Sequence, residues 1–229
     1  MLILFGGSFD PFHVGHAALV KFALATYHPD KLLVVPSAQN PLKGDRPTAN
    51  DRHRLAMTEL AMRELGDSCC QVLDWELKRP APSFTFDTVR QIVADANLSR
   101  SAPIVLLMGN DVYFGLPKWH KPQALLTLAD FIVVSRSVSG EGQRVASQLV
   151  SLGIKDATPT DRNHRIQFLE NKRWVDYWEV PMPAVSASML RASLRKSHDL
   201  AQVPGDPPEG LVGSVWEYIK ENKLYSVRK

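Results

Sequence analysis

Cysteine is nearly missing from this chain: its 229 residues include two, Cys69 and Cys70, side by side. Adjacent thiols match neither a zinc knuckle nor a C-x-x-C redox pair, so they are read as reduced packing residues. Long apolar runs are missing too. The N-terminal run Leu2 to Phe5 stops at Gly6-Gly7, too short for a signal peptide, and no later run reaches the roughly 20 apolar residues of a membrane span. A cytoplasmic protein without a membrane partner is expected. Charge is not gathered in blocks, and the net value of +3 argues against a protein that coats nucleic acid. Repeats and low-complexity tracts are absent, as are a catalytic carboxylate pair and an activated serine or cysteine. What remains is enough chain for one sizeable α/β domain and too little for two full-sized ones.

The N-terminus supplies the most informative pattern. Leu2 to Phe5 read as a buried strand, Gly6-Gly7 as a turn, and His13 to Tyr27 as a helix with Val14, Ala17, Ala18, Phe22 and Ala25 at helical spacing. The first turn of a helix has unpartnered N–H groups and carries about half a positive charge, so anions settle there. Gly6 and Gly7 permit positive φ and close backbone approach, and Ser8 offers a hydroxyl. His13 and His16, three apart, place both rings on one face at that same end. No Glu or Cys joins them at ligand spacing, so a triphosphate fits better than a metal.

Gly7-Ser-Phe-Asp-Pro-Phe-His-Val-Gly-His16 resembles the [ST]-x-x-x-H-x-G-H signature of the nucleotidylyltransferase superfamily. Within it the spelling GSFDPxHxGH and several later motifs are similar to the nicotinate-nucleotide adenylyltransferase family, over nearly the whole chain. The resemblance implies transfer of AMP from ATP to nicotinate mononucleotide, giving deamido-NAD and pyrophosphate in NAD biosynthesis, with Mg²⁺ carried on the ATP. It implies that Gly6, Gly7, Ser8, Phe9, His13 and His16 meet ATP, with both histidines catalytic.

Further along, Leu32 to Pro36 reads as a second strand, followed by Asn40-Pro-Leu-Lys43. The family usually has Pro-Pro-His-Lys here. Lys43 keeps a cation for the mononucleotide phosphate, while Leu42 in the histidine's place cannot donate a hydrogen bond. Thr48 or Asn50 caps a helix running to about Leu65, with Asp51, Arg52 and Arg54 expected outward and Gly66 ending it. Cys70 to Trp75 reads as a third strand. The segment from Glu76 to Val89 resembles the family's E-x-x-R-x-x-x-S-[YF]-T-x-x-T-L. Ser83 or Thr85 is expected to cap the helix that starts there, and the resemblance brings the nicotinate carboxylate to Ser83, Phe84 and Thr85.

Ile104 to Met108 is a plain buried strand running into Gly109-Asn-Asp111, where the family's G-x-D implies a ribose contact for Asp111. By the same resemblance Trp119 stacks on the pyridine ring, while His120 and Lys121 are read as surface residues. Phe131 to Ser135 forms another strand, with Arg136 beyond its end available to phosphate or adenine. From Ser137 to Val175 the pattern weakens and carries no functional reading, though Gly140 to Leu152 reads as a helix. Trp178 to Val180 reads as a late strand. Val185-Ser-Ala-Ser-Met-Leu-Arg191 then resembles the superfamily's I-S-S-T-x-I-R, with Ala187 for one serine, which implies phosphate contacts for Ser186 and Ser188 and a catalytic, pyrophosphate-neutralising Arg191. Gly210 to Lys223 reads as a closing helix.

The expected fold is α/β, a Rossmann-like open parallel sheet of five or six strands with helices on both faces. Residues 1–185 are expected to form the nucleotidyltransferase domain and 186–229 a small helical C-terminal extension packed on it. ATP and nicotinate mononucleotide are the expected partners, with no nucleic acid and with a homo-oligomer left open. Three alternatives stand: an adenylyltransferase for nicotinamide mononucleotide or another phosphomonoester such as a phosphopantetheine, a non-catalytic dinucleotide sensor, and a nucleic-acid binder.

Overall fold

Apolar runs make four of the strands, and shorter or mixed segments make the others. In a computed structural model of the chain the strands are β1 (Leu2–Gly7), β2 (Lys31–Pro36), β3 (Cys70–Val72), β4 (Ile104–Gly109), β5 (Asp130–Ser135), β6 (Ala157–Pro159), β7 (Arg165–Phe168) and β8 (Trp174–Glu179). The structure describes residues 1–39, 41–42, 46–95, 98, 103–135, 142–154, 157–159, 165–168, 172–196 and 207–226. The strands form one sheet in the order β3-β2-β1-β4-β5-β8-β7-β6. Pairings β1–β4, β4–β5 and β5–β8 are parallel, with Leu4 opposite Leu106, Leu106 opposite Phe131 and Val133 opposite Tyr177. At the far edge β7 runs antiparallel to β8, and β6 antiparallel to β7.

Helices fill the connections, as parallel strands require. They are α1 (Val14–Tyr27), α2 (Asp51–Leu65), α3 (Trp75–Lys78), α4 (Thr85–Ala94), α5 (Asn110–Phe114), α6 (Pro122–Leu128), α7 (Gly142–Ser151), α8 (Ala187–Lys196) and α9 (Gly213–Glu221). A 3₁₀ turn covers Leu116–Lys118. The architecture is the expected mostly parallel α/β sheet, enlarged to eight strands.

The chain gathers into two compact units. The first comprises Met1–Gly6, Pro29–Leu32 and Phe84–Pro181. Its core is Ile104 to Met108, Phe131 to Val134, Val175 and Tyr177, all buried. β8 starts four residues before the expected Trp178. The alternation was hidden because Asp176 sits in the middle of the strand, buried and clasped by Arg165 of β7 through Nη2 to Oδ2 at 2.6 Å. A pattern reader sees a carboxylate, whereas the fold sees a neutralised pair.

The second unit comprises Gly7–His28, Leu33–Ser83 and Met182–Lys229. Asn50 caps α2, its Oδ1 accepting the His53 N–H at 3.0 Å, and Gly66 ends it at φ 71°. Met57, Ala61 and Met62 form the buried side of α2, and Val215, Trp216 and Ile219 that of α9. β3 stops before Leu73, since Asp74 turns the chain into α3 and pairs with Lys78 at 2.8 Å, so Trp75 is helical and not the end of a strand. Ser83 does not cap α4 and neither does Thr85: the cap position is Phe84, and the Ser83 hydroxyl accepts the Ala38 N–H instead.

Glu64 on α2 reaches the start of α9, accepting the Ser214 N–H at 2.7 Å. Partial burial alone would raise this carboxyl, but the Ser214 and Gly213 amides, the Ser214 hydroxyl and Lys21 outweigh it and hold it below the ordinary value. A depressed carboxyl stabilises the fold above its unfolded pKa and loses that contribution as pH falls through its folded pKa. Glu64→Gln should therefore lower stability by about 1 kcal/mol at neutral pH, less whatever solvent screening removes. The gap to the wild type should close below about pH 4, as read by urea unfolding across pH.

Candidate nucleotide-binding site

The second unit holds the residues that follow β1. Gly7 is fixed by a close approach: a Cβ there would lie 2.7 Å from Cε1 of Phe9. The positive φ expected of the glycines falls on Phe9 instead, at 45°, with its ring buried. That kink lets Phe9 and Phe12 form an apolar floor under His16, at ring-centroid distances of 5.0 and 5.1 Å.

His13 is the N-cap of α1, and the two histidines cap one another. The His16 N–H donates to His13 Nδ1 at 3.4 Å, and the His13 N–H donates to His16 Nδ1 at 3.2 Å. The rings stack with centroids 3.7 Å apart and planes 17° off parallel. A ring nitrogen that accepts a backbone N–H carries no proton, so in the neutral tautomer the hydrogen sits on Nε2 of both rings. Two N–H donors are thereby set side by side. The bare amides expected at this helix start are partly used up: the Val14 N–H donates to the Gly210 carbonyl at 3.0 Å, and the His16 N–H to His13. Imidazole replaces backbone as the donor.

Asp10 is buried, and its carboxylate gathers the surrounding chain. Oδ2 accepts the Thr48 N–H at 2.7 Å, while Oδ1 accepts the Ala49 N–H at 3.0 Å and the Tyr225 hydroxyl at 2.7 Å. Arg191 Nη1 donates to the Asp10 carbonyl at 2.6 Å and lies 3.6 Å from Oδ2. Ser186 opens α8, its Oγ accepting the Met189 N–H at 3.3 Å, and Ser188 lies exposed 3.5 Å from Arg191 Nη2. Val185 meets α1: a Cβ on Gly15 would stand 3.1 Å from its Cγ1.

Arg54 corrects the sequence reading. Expected on the solvated face of α2, it is fully buried. Its Nη1 donates to the Ser8 carbonyl at 2.6 Å, and its Nη2 to Asp51 Oδ1 at 2.6 Å and the Ala38 carbonyl at 3.3 Å. Helical spacing puts Arg54 in line with Met57, Thr58, Ala61 and Met62 on the buried face of α2, where the Ser8 and Ala38 carbonyls receive its guanidinium.

In the first unit, Phe84 and Thr85 are half-buried at the start of α4, and the Phe84 ring lies against His120 at 4.5 Å. Lys121 stands over the Phe86 ring at 5.0 Å. Both remain exposed, as expected, yet they pack on aromatics. Trp119 is half-buried after the 3₁₀ turn. Asp111 is exposed on α5, its carboxylate bent back so that a Cβ on Gly109 would sit 2.7 Å from Oδ1. Lys43 and Arg136 fall outside the described residues.

The model of the family described as cytidylyltransferase-like matches residues 4–193. The chain belongs to that family. Among proteins similar to this family member, a "Probable nicotinate-nucleotide adenylyltransferase" of Albidiferax ferrireducens is 44% identical over 223 residues, covering 97% of this chain and 96% of the relative. One of the same description from Leptospira interrogans is 33% identical over 224 residues, with coverage of 97% and 96%. In fold, the protein resembles the Plasmodium falciparum nicotinic acid mononucleotide adenylyltransferase complexed with NaAD, at TM-score 0.67, 16% identity and coverage of 98% and 96%.

Among the described residues of this cytidylyltransferase-like protein, metal-ligating side chains cluster in threes at Asp67, Cys69 and Cys70, and not at the histidine pair. Burial and the neighbouring Asp67 push the Cys69 thiol up to about 12, so both cysteines are free, protonated and half-buried. No helix among the described residues is long and apolar enough to cross a membrane.

Proposed function

We infer that this protein is a nicotinate-nucleotide adenylyltransferase whose chemistry is carried by His13, His16 and Arg191. The 5′-phosphate oxygen of nicotinate mononucleotide attacks the α-phosphorus of ATP in line. The bond from that phosphorus to the bridging oxygen breaks, and pyrophosphate leaves with the electron pair. No protein nucleophile is needed, so the work is alignment and charge stabilisation.

The observation that supports this best is the stacked, mutually capped histidine pair, whose two Nε2–H donors suit oxygens of one triphosphate. Ser8 and the backbone at Gly6, Gly7 and Phe9 line the approach, and Ser186 and Ser188 serve the outer phosphates. Arg191, anchored on the Asp10 carbonyl by one nitrogen, keeps further N–H groups for the leaving pyrophosphate. Mg²⁺ comes as part of the ATP substrate, held by phosphate oxygens and water. By the family resemblance Asp111 receives the ribose, Trp119 stacks on the pyridine, and the backbone from Ser83 to Thr85 takes the nicotinate carboxylate. Lys43 and Arg136 complete the phosphate contacts.

Leu42, apolar and 45% exposed where a histidine donor is expected, is the reason to test the mononucleotide directly. Pyrophosphate release from ATP should be at least tenfold more efficient, in kcat/KM, with nicotinate than with nicotinamide mononucleotide. Equal or inverted preference overturns the substrate assignment.

A further inference from the structure

The segment from Gly210 to Tyr225 is more than a closing helix. It touches the histidine loop at three places: the Gly210 carbonyl accepts the Val14 N–H, Leu211 bridges to His13, and the Tyr225 hydroxyl donates to Asp10 Oδ1. Gly210, at φ 96°, passes so close to Val185 that a Cβ would lie 2.7 Å from its Cγ2. The same tail therefore meets both phosphate motifs, the one before α1 and the one before α8.

Asp10 has to serve two demands. Its carbonyl holds Arg191 at 2.6 Å, while Oδ2 stands 3.6 Å from the same Nη1. A carboxylate free to rotate would close on the guanidinium as a bidentate pair and take up the charge and the N–H groups that a pyrophosphate needs. Three donors oppose that rotation: the Thr48 and Ala49 amides and the Tyr225 hydroxyl. The amides belong to the backbone, which leaves the phenol as the one side-chain donor of the three. Tyr225 is buried, and burial first, then the adjacent Asp10 charge, raises its phenol well above the ordinary value, so it stays a donor.

We propose that Tyr225 is a positioning residue for nucleotidyl transfer, pinning the Asp10 carboxylate so that Arg191 stays anchored to the loop yet open to the leaving pyrophosphate. This rests on the adenylyl-transfer reading above. Tyr225→Phe should lower kcat about tenfold and weaken product inhibition by pyrophosphate by a similar factor, while KM for nicotinate mononucleotide stays unchanged.

A purely structural role for Tyr225 would lower the melting temperature without moving pyrophosphate inhibition per folded molecule. The decisive comparison is a double-mutant cycle: in an Arg191→Ala background, Tyr225→Phe should have no further effect on kcat. Asp10→Asn keeps the carbonyl that anchors Arg191 and removes the charge that competes for it, so it should leave pyrophosphate inhibition as strong as or stronger than in the wild type; it stands in if Tyr225→Phe does not fold, and weaker inhibition in it overturns the proposal. Unchanged pyrophosphate inhibition in folded Tyr225→Phe, or an equal kcat loss with and without Arg191, overturns the proposal. If the wild type released no pyrophosphate from ATP and nicotinate mononucleotide, the underlying reading would fail instead.

Discussion

His16→Ala should lower turnover on the order of 10²- to 10³-fold with the fold intact, because in the proposed mechanism it deletes a donor aimed at charge that develops in the transition state. The Nε2–H direction is set by the backbone hydrogen bond at Nδ1 and by the Phe9 and Phe12 rings beneath. The same substitution removes half of the reciprocal cap on α1, at a cost of about 1 kcal/mol. That cost is too small to unfold a domain of this size, so circular dichroism should separate the two effects. A folded His16→Ala enzyme that keeps its wild-type turnover would remove this residue from the mechanism.

Arg54→Met should be the most damaging substitution outside the reacting groups. Methionine fills much of the stem's volume but leaves the partly buried Ser8 and Ala38 carbonyls without the guanidinium donor. The expected loss is about 2–4 kcal/mol, one unmade hydrogen bond at each carbonyl. It should be accompanied by weaker ATP binding, since Ser8 belongs to the loop that Arg54 holds. Urea unfolding midpoints measure the first effect and KM for ATP the second. A stability change under about 0.5 kcal/mol, typical of a solvated surface arginine, contradicts this role.

Much of this was legible in the chain itself. The strands β1, β2, β4 and β5 each hold an uninterrupted apolar run, the pattern that burial on both faces of a parallel sheet favours. The two histidines announced themselves through spacing and the glycines before them. Residues whose role depends on distant partners were not legible. Arg54 lies in register with the buried face of α2, but its charge reads as a surface residue until the Ser8 carbonyl, 46 residues away, is placed beside it. Asp176 masked β8 for the same reason, since its partner Arg165 lies on a strand too short to read by alternation. Asp10 and Tyr225 stand 215 residues apart, and no local period connects them. Helix starts proved least readable: a serine and a threonine flank the cap of α4, yet the serine serves another loop.

That last span has a consequence for how the protein is made. Synthesis runs from the amino end, so the glycine–histidine loop emerges first and waits, while the phenol that ties it down arrives 215 residues after Asp10. Until then the loop can be shaped by Arg54 but not fastened by the tail. A nascent chain halted short of Tyr225 would already carry His13, His16 and Arg191 and still lack the hydrogen bond that ties the Asp10 carboxylate to the tail.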